Sequence, residues 1–300
     1  MSDAAAAAAG QQQYPAGTLY LVATPIGNLS DITLRAIHVL GLVDAVACED
    51  TRVSAQLLRW LGLHKPLVAL HQHNEQQAAE ALVARLRQGE RIAYVSDAGT
   101  PAVSDPGALL VAAARAAGVR VLPLPGASST VTAVSVAGDT AAHGFQFVGF
   151  LPTKAAERRT AALALAGQPH SQVLFEAPHR IRELIALLAD VAPAQQLTVC
   201  RELTKQFETV HTAPCAELPA WFAADSQRER GEFVLVLHAA AREAQAGELP
   251  EEALRGLRVL MRELPLKQAV SLASELSGAP RNALYQQALA WKAQEDGGDA

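Results

Sequence analysis

Short apolar runs alternate with amphipathic segments along the first 127 residues. The run at residues 19–23 ends in a Thr-Pro-Ile-Gly turn, which is typical of a buried strand followed by a loop. Residues 30–43 then carry apolar side chains at helical spacing. The alternation repeats to residue 127, so the pattern predicts a mostly parallel, fully buried sheet with functional loops at the carboxyl ends of its strands.

The remainder of the chain follows two other patterns. Residues 128–241 read as strand, helix and strand, and then as closely spaced strands, which predicts a mixed sheet. Beyond residue 241 only helical periodicity remains. The sequence therefore predicts an α/β protein with a disordered leader (1–17), an N-terminal α/β domain (18–127), a C-terminal α/β domain (128–241), and a helical appendage with a tail (242–300).

Composition narrows the class of protein. The chain has 300 residues, of which 50% are apolar and 18% charged, and no apolar run reaches the roughly 18 residues that a membrane span needs. Cys48, Cys200 and Cys215 lie far apart without a C-x-x-C pair. This spacing supports neither a disulfide framework nor a zinc site, and it predicts a reducing, cytoplasmic location.

Charge is unevenly distributed. The net charge is −5, which gives no overall argument for nucleic-acid binding. Residues 151–205 nevertheless carry seven basic and five acidic side chains, whereas the segments before and after them are net negative. If the ligand is a polyanion, this middle segment is where we expect contact.

Loops rich in glycine, proline and small polar residues follow several predicted strands. In a parallel sheet such loops meet at one edge, where ligands bind. The sequence has no G-x-G-x-x-G fingerprint, no P-loop and no G-x-S-x-G elbow, so dinucleotide binding of the Rossmann type, P-loop chemistry and α/β-hydrolase chemistry are unsupported. The candidate loops are residues 24–28, 97–107, 125–130 and 175–180.

Seven motifs in order resemble a known family. They are LYLVATPIGNLSDITLRA, CEDTR, YVSDAGTPAVSDPG, PLPGASS, FEAPHRI, CRELTKQFE and GEFVLVL. Together they are similar to the tetrapyrrole-methylase superfamily and, within it, to the ribosomal small-subunit RNA (cytidine-2′-O-)-methyltransferases. The resemblance runs from about Thr18 to Ala239 and continues weakly into the last helices. It implies two α/β domains with S-adenosylmethionine in the cleft between them, a cytidine in the decoding region of 16S rRNA or of the small subunit as substrate, and a homodimer.

The resemblance also directs attention to a set of cofactor-binding residues. The cofactor needs backbone hydrogen-bonding groups and small residues that admit the backbone closely. Asp97 can face its positive charge, the serines and threonine after Gly126 can bind its amino-acid end, and the second domain can close the other wall. The predicted cofactor-binding residues are Pro25, Gly27, Asp97, Ala98, Gly99, Thr100, Val103, Ser128, Ser129, Thr130, Phe175 and Glu232.

Candidate catalytic and RNA-binding residues lie near the same edge. A ribose 2′-hydroxyl is a poor nucleophile until its proton is removed, so a base or a polarising cation would help. Glu176, His179 and Arg180 are the catalytic candidates, Glu49 and Asp50 are further carboxylates, and the sequence does not assign the base. A metal is not expected, because alternate histidines in HQHNE point to opposite faces of a strand. The RNA-binding candidates are Arg52, His73, Asn74, Arg201 and Lys205.

Two alternatives remain open at this point. One is a porphyrin or corrin C-methyltransferase of the same superfamily, although TPIGNLSD and SDAGTP differ from the corresponding loops of those enzymes. The other is a non-catalytic ribosome-assembly factor that only senses the cofactor. Carboxylates and arginines in these loops can also be satisfied locally as caps or ion pairs, without any role in catalysis.

Overall fold

The structure, a computed structural model, describes residues 1–71, 74–103, 107–240, 249 and 251–296. The chain divides into two compact units, residues 1–241 and residues 242–300. The first unit contains two five-stranded sheets. In the part of the chain that the structure describes, no helix is long and apolar enough to cross a membrane.

The N-terminal residues form a helix where the sequence pattern predicts disorder. Helix α1 (Ser2–Ala9) contacts α2 (Leu34–Leu42), and Ala5 and Ala9 are buried. Alanine has the highest intrinsic helix propensity. The prediction of a disordered leader over residues 1–17 is therefore wrong for this segment, because the alanine run supplies a face of small side chains that another helix can cover.

The first sheet is parallel throughout. Its strand order is β3-β2-β4-β1-β5, and all four pairings are parallel, which confirms the predicted architecture. The strands are β1 (Thr18–Val22), β2 (Ala45–Cys48), β3 (Leu67–Ala69), β4 (Ile92–Val95) and β5 (Arg120–Leu124). The helices that follow β2, β3 and β4 are α3 (Thr51–Trp60), α4 (Glu75–Arg87) and α5 (Ala108–Ala116).

Both faces of this sheet are covered, as the continuous apolar runs of its strands require. Tyr20 and Val22 of β1 are buried in one cluster with Leu40 of α2. Leu19 of β1 and Leu110 of α5 belong to another cluster. The alternation of side chains along β1 thus places α2 and α5 against different faces of the sheet.

The centre of the sheet is a topological switch point. β1 and β4 are neighbours, and the chain leaves them in opposite directions, toward β2 on one side and toward β5 on the other. In open α/β sheets, ligands bind in the crevice that such a switch opens beyond the carboxyl ends of the strands. The loops after β1 and β4 therefore occupy the position where a site is expected.

The second sheet is mixed, as predicted. Its order is β6-β7-β10-β8-β9, with β6 and β7 parallel and the other pairs antiparallel. The strands are β6 (Phe145–Phe150), β7 (Ser171–Glu176), β8 (Gln196–Arg201), β9 (Thr209–Pro214) and β10 (Phe233–Leu237). The helices are α6 (Ser129–Ala137), α7 (Ala155–Leu165), α8 (Ile181–Val191) and α9 (Leu218–Ala223).

Helix α6 belongs with the second sheet. Ala133 and Ala137 are buried in a cluster with Cys200 and Val236 of β8 and β10. The sequence pattern places residues 125–130 in a loop, but Ser128 is the N-cap of α6, and Ser129 and Thr130 are its first residues. The domain division that we propose at residues 127 and 128 therefore separates all strands of the first sheet from α6 and all strands of the second.

In the unit of residues 242–300, the described residues form three helices with a core of their own. Leu257, Val270 and Leu284 are fully buried in this core. The glycine that follows the second helix, Gly278, has the left-handed conformation (φ +69°) that commonly ends a helix. The helices are α10 (Glu251–Glu263), α11 (Leu266–Ser277) and α12 (Arg281–Asp296).

Candidate active site

The loops after β1 and β4 are tied together by two backbone hydrogen bonds. Thr24 N–H donates to the Gly99 carbonyl at 2.9 Å, and Gly99 N–H donates to the Thr24 carbonyl at 3.0 Å. The Thr24 hydroxyl also donates to the Ser96 carbonyl at 3.1 Å. Gly99 has φ +84°, a backbone conformation that residues with a side chain rarely adopt. The two loops thus form a fixed wall at the switch point, which we call the bridged wall (residues 24–26 and 96–99).

On one side of the bridged wall lies a cavity of about 300 Å³ between the two sheets, the inter-sheet cavity. Ile26 and Ala98 line it from the bridged wall, and Ser129 lines it from α6. The second sheet supplies the opposite wall, which is mainly apolar and aromatic. Its residues are Phe150, Phe175, Glu176, Ala177, Pro178, Cys200, Leu203, Glu232, Phe233 and Val234.

A buried carboxylate with one unpaired oxygen lies beside this cavity. Glu176, at the end of β7, is 3% exposed. Its Oε1 accepts the Ala177 N–H at 2.9 Å and lies 3.2 Å from Nε of Arg180. Its Oε2 is buried and accepts no hydrogen bond in the described structure. Leaving such an oxygen unpaired is costly. The Glu176 side chain is not exposed in this conformation, so a hydrogen-bond donor of a ligand would reach Oε2 only after the side chain turns toward the cavity.

Arg180 is held in place by the neighbouring backbone. Its Nη2 donates to the Leu151 carbonyl at 2.8 Å, and its side chain is mostly buried beside Glu176. His179 is exposed in the turn between β7 and α8 and does not line the inter-sheet cavity. Of the three catalytic candidates, the structure therefore brings Glu176 to the cavity, with Arg180 behind it.

Two glycines allow close contacts beside the site: Gly126 within the first domain, and Gly27 between the two α/β domains. A Cβ on Gly126 would lie 2.8 Å from the Ala23 Cβ at the end of β1. A Cβ on Gly27 would lie 2.5 Å from Lys205 Cγ and 3.0 Å from the Leu203 carbonyl oxygen. Real Cβ atoms do not approach so closely, so both positions require glycine for packing. Gly27 is thus the point where the first loop touches the β8–β9 loop.

The β8–β9 loop is held by charged pairs and by an unusual backbone. Glu202 and Thr204 have φ +52° and +66°, which is uncommon for residues other than glycine. Lys205 Nζ lies 2.9 Å from Glu202 Oε1 and 3.0 Å from Glu232 Oε2. Arg201 donates from Nε to the Arg230 carbonyl at 2.6 Å. The loop therefore uses the donors of both predicted RNA-binding cations internally.

On the other side of the bridged wall lies a second cavity, of about 530 Å³, which we call the Trp60 cavity. Pro25 and Asp97 line it from the bridged wall, immediately beside residues that line the inter-sheet cavity. Its other side is α3, and Trp60 at the end of that helix is 40% exposed. The full lining is Thr24, Pro25, Leu29, Val53, Ser54, Gln56, Leu57, Arg59, Trp60, Ser96 and Asp97.

Carboxylates gather where β2 and β4 end. Asp97 Oδ1 accepts the Asp50 N–H at 3.1 Å, and Asp50 pairs with Arg52 at 2.6 Å. The hydrogen bond from Arg52 lowers the pKa of Asp50 to about 2. Burial, followed by the nearby charges of Asp97 and Asp50, raises the pKa of Glu49 above its ordinary value. This end of the first sheet therefore holds one firmly ionised carboxylate and one that is more readily protonated.

The predicted cofactor-binding residues are distributed over three surfaces. Ala98, Ser129, Phe175 and Glu232 line the inter-sheet cavity, whereas Pro25 and Asp97 line the Trp60 cavity. Gly99 lies in the bridged wall, and Gly27 contacts the β8–β9 loop. The remaining four residues line a groove of about 480 Å³ along α6: Thr100, Val103, Ser128 and Thr130.

The remaining predicted residues lie elsewhere. Arg52 is 89% exposed and paired with Asp50. Asn74 donates from its amide to the Ala69 carbonyl at 3.1 Å, and His73 lies outside the described residues. Among the residues that the structure describes, no group of three or more His, Cys, Asp or Glu side chains could hold a metal ion.

Sequence reasoning missed several lining residues. Trp60 sits in a segment whose pattern indicates only an amphipathic helix. Cys200 and Val234 are interior strand residues, and nothing in a continuous apolar run says which face meets a cavity. The one signal that could have indicated the Trp60 cavity is a large aromatic residue, Trp60, at the end of the helix that follows β2.

Solved structures with the same fold define the class. Over 74% of this chain and 94% of its own, a uroporphyrin-III C-methyltransferase from Thermus thermophilus matches with a TM-score of 0.53 and 23% identity. The structure of a Thermus thermophilus uroporphyrin-III C-methyltransferase complexed with S-adenyl homocysteine matches with a TM-score of 0.50 and 19% identity over 73% of this chain and 96% of its own. At these identities the likeness establishes the fold alone. The first unit therefore has the fold of a tetrapyrrole methylase.

Sequence comparisons extend the result to a family. The tetrapyrrole (corrin/porphyrin) methylase family matches residues 18–219, and the RsmI C-terminal HTH domain matches residues 247–292. A protein named ribosomal RNA small subunit methyltransferase I from Escherichia coli O157:H7 is 47% identical over 91% of this chain and 95% of its own. One of the same name from Pseudomonas aeruginosa is 48% identical over 91% and 97%. The chain therefore belongs to the tetrapyrrole methylase family and, within it, to the group of these ribosomal RNA small subunit methyltransferase I proteins, as the seven motifs predict.

Proposed function

We propose that this chain transfers a methyl group from S-adenosylmethionine to the 2′-hydroxyl of a cytidine in the decoding region of 16S rRNA. The names of its relatives support action on small-subunit rRNA. The observation that carries the proposal is the pair of cavities on the two faces of the bridged wall. One cavity holds the methyl donor, and the other holds the acceptor, whose hydroxyl must meet the methyl group where the two cavities border each other.

The inter-sheet cavity fits the cofactor. Its aromatic and apolar walls suit an adenine ring. Once the Glu176 side chain turns into the cavity, its unpaired Oε2 can accept a hydrogen bond from a hydroxyl or amino group of an adenosine. When bound, the cofactor supplies a methyl group on an activated sulfonium. Ala98, Ser129 and Phe175 would surround it, with Glu232 at the rim. We also propose cofactor contacts in the groove along α6. These contacts are made by Thr100, Val103, Ser128 and Thr130.

Catalysis then rests on alignment. Methyl transfer is an in-line displacement, so the hydroxyl oxygen must approach along the axis of the bond that breaks. The two loops, joined by reciprocal hydrogen bonds, would hold the groups on either side of them in fixed positions for this approach. Among the described residues that line the Trp60 cavity, Asp97 is the one carboxylate, so we place the proton acceptor there. Glu176 then serves to bind the cofactor rather than to act as base, with Arg180 orienting it.

RNA contacts, assembly and location complete the proposal. The proposed RNA contacts remain Arg52, Asn74, Arg201 and Lys205. Arg52, Arg201 and Lys205 are already engaged in internal ion pairs or hydrogen bonds, which reduces the number of donors that each can offer to a phosphate. His73 remains a proposed contact outside the described residues. We further propose that the protein is cytoplasmic and that it forms a homodimer. Light scattering of the purified protein would test the dimer.

The test is the ribose methylation pattern of small-subunit rRNA. Mass spectrometry of rRNA from a deletion strain should show the loss of one 2′-O-methylcytidine, and the intact gene should restore it. An unchanged set of ribose methylations would overturn the proposal. Rescue of the modification by a Gly99→Trp variant would show that the bridged wall is not needed.

Two further measurements test the alternatives. Incubation with labelled cofactor and uroporphyrinogen distinguishes a tetrapyrrole methylase, which would label the macrocycle. A non-catalytic assembly factor would restore growth of the deletion strain even when the Gly99→Trp variant abolishes methylation.

A further inference from the structure

We propose that the Trp60 cavity binds the target nucleoside of the RNA, with its base stacked on the Trp60 indole. This inference rests on the proposed function and names the substrate pocket for it. The occupant is a pyrimidine nucleoside extruded from the RNA chain, and Trp60 and Arg59 are the residues that recognise it.

The position of the cavity is the first argument. Successive residues of the bridged wall face opposite sides: Pro25 and Asp97 line the Trp60 cavity, while Ile26 and Ala98 line the inter-sheet cavity. Methyl transfer needs direct contact between the acceptor oxygen and the methyl carbon, so the acceptor must lie where these residue pairs change side and the two cavities border each other. An acceptor nucleoside whose ribose rests on the wall meets this requirement, and its base then extends toward α3.

The chemistry of the lining is the second argument. Leu29, Val53 and Trp60 are large apolar side chains that remain exposed, and all three line this one concavity. Clustered exposed apolar groups mark binding surfaces. Single-stranded bases are commonly recognised by stacking on an aromatic ring, with polar side chains reading the base edge. Trp60 provides the ring, and Gln56 provides a polar group in the same lining.

Charge is the third argument. Arg59 lines the cavity and is exposed, and no ion pair involves it in the part of the chain that the structure describes. Arg52, about two turns earlier on α3, is committed to Asp50 at 2.6 Å. Affinity for RNA comes largely from contacts between cations and phosphates. Arg59 is thus the uncommitted cation beside the ring, at the place where the phosphate of a stacked nucleotide would lie.

The test uses the full-length protein and small ribosomal subunits purified from a deletion strain. Base stacking on an aromatic residue contributes enough that Trp60→Ala should lower kcat/KM by about 5- to 150-fold. Trp60→Phe, which keeps a ring, should retain most of the activity. Arg59→Gln should weaken subunit binding at low salt and reduce the salt dependence of binding by about one counterion. Leu163→Ala, an exposed apolar side chain on α7, is the matched control and should have no effect.

A second readout separates a substrate role from a structural one. Calorimetric titration with S-adenosylhomocysteine and thermal unfolding should match wild type for Trp60→Ala, because the residue does not line the inter-sheet cavity. If Trp60→Ala unfolds, Trp60→Leu keeps the apolar bulk without the ring and should show the same loss of kcat/KM.

The possible failures are distinguishable. A wild-type enzyme that does not methylate these subunits overturns the proposed function. An active wild type with unchanged kcat/KM in both Trp60→Ala and Trp60→Leu overturns the nucleoside pocket alone. Equal losses in Trp60→Phe and Trp60→Ala would also overturn it, because stacking would not be the interaction lost.

Discussion

Replacing Gly27 by alanine tests whether the contact between the two α/β domains shapes the inter-sheet cavity. The added Cβ would lie 2.5 Å from Lys205 Cγ and 3.0 Å from the Leu203 carbonyl oxygen. Carbon atoms in contact are normally separated by about 3.5–4.0 Å, so the overlap with Lys205 is about 1 Å. Gly27 does not have a positive φ, so the substitution adds a steric clash without backbone strain.

The overlap is not easily relieved. Lys205 is a flexible side chain, but its Nζ is paired with both Glu202 and Glu232, and the Leu203 oxygen belongs to the backbone. Overpacking of this kind costs about 1–3 kcal/mol. Leu203 lines the inter-sheet cavity, and so does Ile26 beside Gly27. Displacing the loop should therefore widen that cavity and weaken cofactor binding together with stability.

Thermal unfolding and calorimetric titration with S-adenosylhomocysteine measure the two effects. A loss of 1 kcal/mol in a unit of this size corresponds to about 2–4 °C in Tm. Gly41→Ala is the matched control: it lies within α2, and its nearest neighbour would be 3.7 Å away. This control should be stabilised by about 0.5–1 kcal/mol, because alanine favours a helix over glycine. If Gly27→Ala matches wild type in both Tm and affinity for S-adenosylhomocysteine, the contact between the two α/β domains does not exist in solution.

Three further predictions concern buried groups. Burial raises the pKa of Cys200 to about 12 and the pKa of Cys215 to about 11. The folded protein should therefore resist thiol reagents at pH 8, and all of its thiols should react after denaturation. Rapid labelling of the folded protein would contradict this packing. Burial lowers the pKa of His238 below its ordinary 6.5, so its neutral form is favoured in the fold and stability is lost as pH falls from about 6.5 through the folded pKa. Urea unfolding at pH 7.5 and 5.5 should show this loss, and a His238→Asn variant with the full wild-type slope would refute it. Glu176→Gln should weaken S-adenosylhomocysteine binding by about 10- to 150-fold, the worth of a charged hydrogen bond. Glu183→Gln, which changes an exposed carboxylate on α8, should not weaken it, and equal affinities of the two variants in calorimetry would remove Glu176 from the site.

The sequence predicts the architecture well because its signals are local. The run at residues 19–23 and the breaks after it define β1 and its loop without reference to the rest of the chain. Loops after parallel strands must meet at one edge, so the neighbourhood of Thr24 and Gly99 follows from the strand pattern and topology. The seven motifs then indicate the family, which the comparisons confirm.

What the sequence does not predict depends on orientation and pairing. Pro25 and Ile26 are neighbours in one loop, yet they line different cavities, and no local pattern reports which side each one faces. The same holds for Asp97 and Ala98. Lys205 is an apparently free cation in sequence, whereas in the fold two carboxylates from separate segments take its charge.

Local signals also fail where small residues pack. The alanines of α1 gain their helical structure from contact with α2. Helix α6 begins within a stretch whose proline, glycine, serines and threonine indicate a loop. Its alanines are buried against the second sheet, and that tertiary contact decides the conformation.

A crystal structure of the protein soaked with S-adenosylhomocysteine tests the central claim most directly. We predict density for the adenosyl group in the inter-sheet cavity, among Ile26, Phe175 and Val234, with a hydrogen-bond donor of the ligand on Glu176 Oε2. Density confined to the Trp60 cavity, on the other face of the bridged wall, would contradict the assignment of the two cavities.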